Sequence, residues 1–197
     1  MKNYKLFVFL FAFAAIAANS GCSAVSLIKK QIEQAQKPQT LVCTDGKCQL
    51  TVPGGWSVQK DLNAEANFQA GNPLAEQYAI IISEAKVDFP PKTNLDGYTE
   101  IIKQTATETT VDPVFSEVKT IVVNGYPARQ FELSGAVDDI KANWIYTLIE
   151  GEKNYHQVLM WTLDTRYKAN KPVFLETLNT FKELDVSSIA PVKQPNP

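Results

Sequence analysis

Six residues concentrate the chemistry open to this chain: Cys22, Cys43, Cys48, the single histidine His156, and the adjacent pair Asp138 and Asp139. A thiol can be acylated, oxidised, used as a nucleophile or bound to metal, and its surroundings select among these fates. Cys43 and Cys48 bracket Thr44-Asp45-Gly46-Lys47. Asp45-Gly46 is a strong signal for a two-residue hairpin turn, because type I′ needs positive φ at both central positions. Thr44 and Lys47 then form the hydrogen-bonded pair beside the turn. The cysteines become the next, non-hydrogen-bonded pair, with Cα atoms about 4.5 Å apart, within disulfide range. A Cys43–Cys48 disulfide with a structural role is therefore expected. No further ligand for zinc and no redox partner lies near it in the sequence.

His156 sits in "NYHQVLMWTL", a strand pattern in which neighbours alternate faces. Any Ser-His-Asp or Cys-His hydrolase would have to run through this residue. No Gly-x-Ser-x-Gly elbow accompanies it, so an exposed or partly satisfied strand histidine is the expectation. Asp138-Asp139 could offer carboxylates to calcium, but "GAVDDIKAN" reads as a turn, where Asp serves the backbone. No EF-hand spacing is present, and no metal or other cofactor is expected. Eight aromatics (Trp56, Tyr78, Tyr98, Tyr126, Trp144, Tyr146, Tyr155, Trp161) could line a groove for a lipid, peptide or sugar. Most are needed for the core, since each ring buries a large area. Trp56 after Gly54-Gly55 and Tyr126 in Asn-Gly-Tyr-Pro are expected to be partly exposed from their loop placement, and are the candidate partner surface.

Cys22 follows a different pattern. Lys2 and Lys5 precede an apolar run, Leu6–Ala18, too short for the roughly 20 residues of a spanning helix. A signal peptide fits, with small residues at the cut. Ala18-Asn19-Ser20 would suit an ordinary signal peptidase. Asn19-Ser20-Gly21-Cys22 resembles the lipobox of bacterial lipoproteins, matching it at Ser20, Gly21 and Cys22 and departing at Asn19, where an apolar residue is usual. Soluble export would leave Cys22 as an odd thiol, whereas lipidation removes the anomaly. The expectation is cleavage after residue 21 and acylation of Cys22, which anchors the protein to a membrane through its lipid. Ser23 rather than Asp follows, which in a cell with two membranes implies the outer one. Loss of Lys2 and Lys5 moves the formal charge from −2 to −4. With only Arg129 and Arg166 as arginines, the chain lacks the basic footprint of a nucleic-acid binder.

Residues 22–39 read as a lipidated tether, 40–185 as one folded domain, and 186–197, rich in proline, as a disordered tail. Within the domain, "QYAIIISEAKVDF" reads as a buried strand and "LDGYTEIIKQTATET" as a helix capped by Asn94 or Asp96. "VFSEVKTIVVNGYPARQFELSG" reads as strand, Asn124-Gly125 turn and strand. "ANWIYTLIEGEKNYHQVLMWTLD" gives a second hairpin turning at Gly151–Asn154. "ANKPVFLETLNTFKEL" closes as a helix, with Asn170 as cap and Pro172 in its first turn. These elements make an antiparallel sheet with helices packed on it, an α+β arrangement.

"VPGGWSV", "NLDGYTEIIKQ", "VNGYPARQFELSG" and "FLETLNTFKEL" occur in this order. Together they resemble the Mog1/PsbP-like superfamily, and within it small bacterial lipoproteins related to DcrB and PsbP, over residues 41–184. The resemblance implies an α/β/α sandwich and a non-enzymatic binding or assembly role. It transfers no site residue, and shared fold does not transfer a specific function. The expectation is a cell-envelope lipoprotein that acts as a non-catalytic binding module with another envelope protein as partner. The alternatives are an envelope hydrolase around His156 and a carrier of an apolar ligand. An exposed aromatic patch would favour the first, a deep cleft holding His156 beside Ser and Asp the second, and a sizeable dry cavity the third.

Overall fold

The structure is a computed structural model that describes residues 36–185. The expected signal peptide, Cys22 and most of the expected tether, and the tail 186–197, lie outside the described residues.

Among the described residues, eleven strands and two α-helices follow one another: β1 (Gln39–Val42), β2 (Cys48–Val52), β3 (Ser57–Val58), β4 (Phe68–Asn72), β5 (Gln77–Ala85), α1 (Leu95–Thr109), β6 (Val111–Phe115), β7 (Lys119–Val123), β8 (Tyr126–Val137), β9 (Ile140–Glu150), β10 (Asn154–Leu163), α2 (Tyr167–Leu178) and β11 (Lys182–Glu183). They form a large antiparallel sheet ordered β3-β4-β5-β10-β9-β8-β6, with β7 also paired to β8, and a small sheet ordered β1-β2-β11.

The period of two along the central strands divides the core. Ile145 and Ile149 of β9, with Val158 and Met160 of β10, face Phe174 and Leu178 of α2 and Leu50 and Val52 of the small sheet. Tyr146, Leu148 and Tyr155 point the other way, against Leu95, Tyr98, Ile102 and Ala106 of α1. One sheet thus serves two cores, with a helix on each face: the α/β/α sandwich that the resemblance implied. Asn94 is the cap of α1, its Oδ1 accepting the Gly97 N–H at 2.8 Å. Asp96 accepts instead from Arg129 Nε at 2.7 Å.

Several local expectations are corrected. At Asp45-Gly46 only Gly46 has positive φ (72°), so the turn is not type I′. Asp45 Oδ1 accepts the Lys47 N–H at 3.1 Å, and Gly46 N–H bonds to Cys43 O at 2.9 Å, which draws four residues into the loop. Cys43 N–H donates to Cys48 O at 2.8 Å, making the cysteines a hydrogen-bonded pair. Their disulfide spans 5.2 Å between Cα atoms. Positive φ at both positions occurs at Asn124-Gly125 (48°, 93°) and at Asp138-Asp139 (50°, 65°), a two-residue connection between β8 and β9.

The strand expected over "VFSEVKTIVV" is two, β6 and β7, both paired to β8. The strand read from Gln77 stops at Ala85, where a short helical turn begins. The last helix starts at Tyr167, so Pro172 lies in its second turn and Asn170 inside it, not at its cap. Lys168, whose carbonyl loses the Pro172 N–H, is exposed and can be hydrated. Helix α2 ends at Leu178, and Thr177 and Leu178 close the turn that releases Lys182–Glu183 to pair with β2.

Candidate functional site

His156 is the first residue to place. It projects from β10 beside its cross-strand partner Ser83 on β5. Nδ1 lies 2.9 Å from Ser83 Oγ and Nε2 lies 3.1 Å from Glu183 Oε1 on β11. The imidazole is fully buried with both nitrogens bonded, not the exposed or partly satisfied residue the strand pattern suggested. An ionised Glu183 can only accept, so neutral His156 carries its proton on Nε2 and takes the Ser83 hydroxyl proton on Nδ1. Burial holds the His156 pKa below its ordinary value, although Glu183 and Asp45 pull it upward.

A serine, a histidine and a carboxylate in line invite comparison with a hydrolytic triad, and the orientation argues against it. Glu183 faces the groove of about 540 Å³ that it lines with Lys47, Tyr126 and Asn154. Ser83 is not among the lining residues; its Oγ lies 3.9 Å from Cys48 Sγ. The Ser83 N–H, which an oxyanion would need, is taken by Asn67 Oδ1 at 2.9 Å. The acid meets solvent and the would-be nucleophile faces the disulfide. The line of three works instead as a clamp. Glu183 Oε2 also accepts the Glu152 N–H at 2.8 Å, so one carboxylate ties β11 to β10 and to the β9–β10 loop.

Trp56 is not a surface residue. It is 3 % exposed, packs edge-on to Phe174 at 6.4 Å, and donates Nε1–H to Gln77 Oε1 at 2.9 Å. Gln77 donates in turn to Asn170 Oδ1 at 2.8 Å, and Asn170 donates to Thr162 Oγ1 and Ala75 O. Proximity to two glycines suggested a loop tip, but the ring turns inward because its N–H finds this buried chain of amides. Tyr126 is half-buried against Phe181, with ring centroids 6.0 Å apart.

A partly exposed aromatic surface lies elsewhere. Tyr78, Trp161 and Trp144 are directly opposed on β5, β10 and β9. They stand on the α1 side of the sheet, and Tyr78 stacks on Trp161 at 5.5 Å and 21°. Helix α1 covers the part of this face over β8 and β9. The rest forms an open groove of about 440 Å³, floored by Ile80, Leu159 and the three rings and walled by Leu62, Asn63 and the β8–β9 tip. Ile140 on that wall is 56 % exposed. One signal could have found it. Tyr78, Ile80, Trp144, Leu159, Trp161 and Leu163 alternate with the inward residues of the same strands, giving more outer-face apolar positions than one helix of 15 residues can cover.

Among the described residues no group of three or more His, Cys, Asp or Glu side chains is placed to hold a metal. None of the helices among them is long and apolar enough to cross a membrane.

The architecture has solved counterparts. The chain is similar to the cyanobacterial PsbP (CyanoP) of Synechocystis sp. PCC 6803, with a TM-score of 0.57 and 12 % identity over 86 % of this chain and 99 % of that one. It is similar to LpqN of Mycobacterium tuberculosis, a protein involved in cell envelope biogenesis, with a TM-score of 0.53 and 11 % identity over 80 % and 97 %. A Bacteroides thetaiotaomicron protein gives a TM-score of 0.53 at 10 % identity, over 79 % of this chain and 52 % of that one. No family model and no curated protein matches the chain. The fold is PsbP-like, in agreement with the resemblance carried by the sequence motifs.

Proposed function

We infer that this protein is a cell-envelope binding module without catalytic turnover, anchored through a lipid on Cys22 and holding its partner in the open groove over Tyr78, Trp161 and Trp144. The groove carries this reading: a row of three half-buried aromatic rings in an open groove offers binding surface, and it lies away from the His156 line. Exposed apolar surface of this kind marks interaction sites. The envelope role of LpqN, a protein of similar fold, supports the location. The lipobox-like Ser20-Gly21-Cys22 supports the anchor, and Ser23 supports the outer membrane where two membranes exist. The groove is open rather than enclosed, which favours a partner's surface segment over a sequestered apolar cargo.

Arrays of peptides, glycans and lipids, probed with the wild-type protein and with Ile140→Glu, test the binding reading. A charge at this exposed wall should abolish capture without disturbing the fold. Capture that is indifferent to Ile140→Glu and to Trp161→Ala refutes the groove. Turnover of any ester, peptide or glycan that disappears in His156→Ala, with the fold intact by circular dichroism, refutes the non-catalytic reading. Labelled palmitate failing to enter the protein in its native host refutes the anchor.

A further inference from the structure

The groove over Tyr78, Trp161 and Trp144 restricts its occupant in three ways, and the choice of occupant rests on the binding role proposed for that groove. Its lining is aliphatic and aromatic apart from Asn63 and Asp138, so a sugar would leave many hydroxyls without partners. It is open along its length, so an acyl chain would stay half wet and forgo much of its transfer energy. Its one lining charge is acidic, Asp138, with Asp139 beside it at the same hairpin tip, so an anionic headgroup is repelled. An extended peptide bearing apolar rings and a cation meets all three restrictions. Proline-rich segments dock on aromatic-lined grooves in this way, and lose little entropy in doing so.

The chain contains such a segment. Residues 186–197, "VSSIAPVKQPNP", hold Pro191, Pro195 and Pro197, one charged side chain, Lys193, and no acidic side chain. We propose that the groove of one molecule takes the proline-rich segment of a second copy, its prolines against Trp161 and Trp144 and Lys193 beside Asp138 and Asp139.

Length selects the second copy. Asp185, the last described residue, borders the other groove with Ala85 and Asn154, which form the first rung of the β5–β10 ladder, whereas Tyr78 and Trp161 form the last. From Asn154 to Trp161 is roughly 24 Å at about 3.4 Å per residue. The stretch from Trp144, opposite Trp161, to Ile140 at the tip adds about 14 Å more. Lys193 is eight residues beyond Asp185 and reaches at most about 26–29 Å. Even with its side chain extended, a molecule's own lysine would need a fully straight backbone along the whole sheet to approach its own acidic tip, at a high cost in chain entropy, while a neighbour's meets no such limit. Association of this kind is head-to-tail, with no symmetry that closes it at two.

The test uses the purified protein and a synthetic peptide of residues 186–197. The peptide should shift tryptophan emission saturably, and binding should weaken tenfold or more when its three prolines become alanine or Lys193 becomes Glu. The same loss is expected with the Ile140→Glu protein. Light scattering should show concentration-dependent association of the protein that the free peptide reverses. Absence of saturable binding together with a monomer at every concentration overturns the proposal. So does a concentration-independent emission change that Pro195→Ala removes, which would mean self-capture. If arrays return another ligand dependent on Ile140 while the peptide fails, the occupant proposed here is wrong and the binding reading stands. If no ligand depends on Ile140, both fall.

Discussion

Acidification should unfold this protein earlier than its carboxylates alone require, and His156 is the reason. The ring is fully buried, with both nitrogens committed to Ser83 and Glu183. Burial depresses its pKa most strongly; Glu183 and Asp45 oppose the shift and Lys47 assists it. In the unfolded chain the ring titrates near the ordinary value of about 6.5. A depressed native pKa means that the unfolded chain takes up the proton first as pH falls. Stability is therefore full above about pH 6.5 and declines from there down to the native pKa, at up to about 1.4 kcal/mol per pH unit. Below the native pKa both states are protonated and the loss levels off. Urea unfolding at half-unit steps from pH 8 to pH 4.5, on wild type and on His156→Gln, isolates the contribution. The glutamine keeps hydrogen-bonding capacity toward Ser83 and Glu183 but does not titrate. The difference between the two curves should be flat above pH 7 and slope downward below 6.5. A difference that is flat throughout would mean that Glu183 balances burial, and wild type gaining stability on acidification would mean that it outweighs burial; either shows the reasoning to be wrong.

The same structure sets other outcomes. Cys43→Ser/Cys48→Ser should fold and lose about 2 kcal/mol in chemical unfolding, since the disulfide closes a short loop; a much larger loss would show that the bond does more than constrain the hairpin. Gln77→Ala strands the Trp56 N–H and one Asn170 acceptor in the core, and each uncompensated group costs about 1–3 kcal/mol; a melting temperature equal to wild type would refute the network. Asp139→Gly relieves a left-handed residue at the β8–β9 tip and should stabilise by up to about 1 kcal/mol, less the entropy glycine loses on folding. Burial alone would raise the Glu132 pKa, but hydrogen bonds from Lys171 and Tyr167 hold it below the ordinary carboxylate value. Its stabilisation is present above about pH 4.5 and lost as pH falls through the native pKa, and Lys171→Ala should shrink that loss, as read by the same unfolding series.

What could be read from the chain and what could not divide along the range of the interactions. Helix α1 is legible to the residue because Asn94 caps it locally and its apolar positions recur at helical spacing. The β7–β8 and β9–β10 hairpins are legible because their turn residues, Asn124-Gly125 and Gly151–Asn154, lie between strand-like runs. The end of α2 is not, since nothing near Leu178 says that Lys182 and Glu183 will be wanted by β2, more than 130 residues earlier in the chain. Trp56 misleads for the same reason: glycines beside it suggest exposure, while the partner that draws it inward is 21 positions away. Ser83 and Glu183 are ordinary residues in the sequence, and only the register of β5 and the placement of β11 bring them to His156. The aromatic groove was half legible. Its residues alternate correctly on their strands, but where α1 stops covering them is set by packing.

The small sheet has a consequence for the order of assembly. β2 is bordered by β1 on one side and by β11 on the other. Its first neighbour is available as soon as residues 39–52 have formed a hairpin, and Cys43 can join Cys48 with little of the chain present. Its second neighbour comes almost 130 residues after β2 ends, and contacts between distant segments slow folding because the loop must close before they reward it. In a chain that emerges N-terminus first, the oxidised hairpin waits with one edge unpaired until β11 arrives. An unpaired edge is a template for other chains. The interval between oxidation of Cys43–Cys48 and arrival of Glu183 at His156 is thus the period in which this protein is most exposed to mispairing.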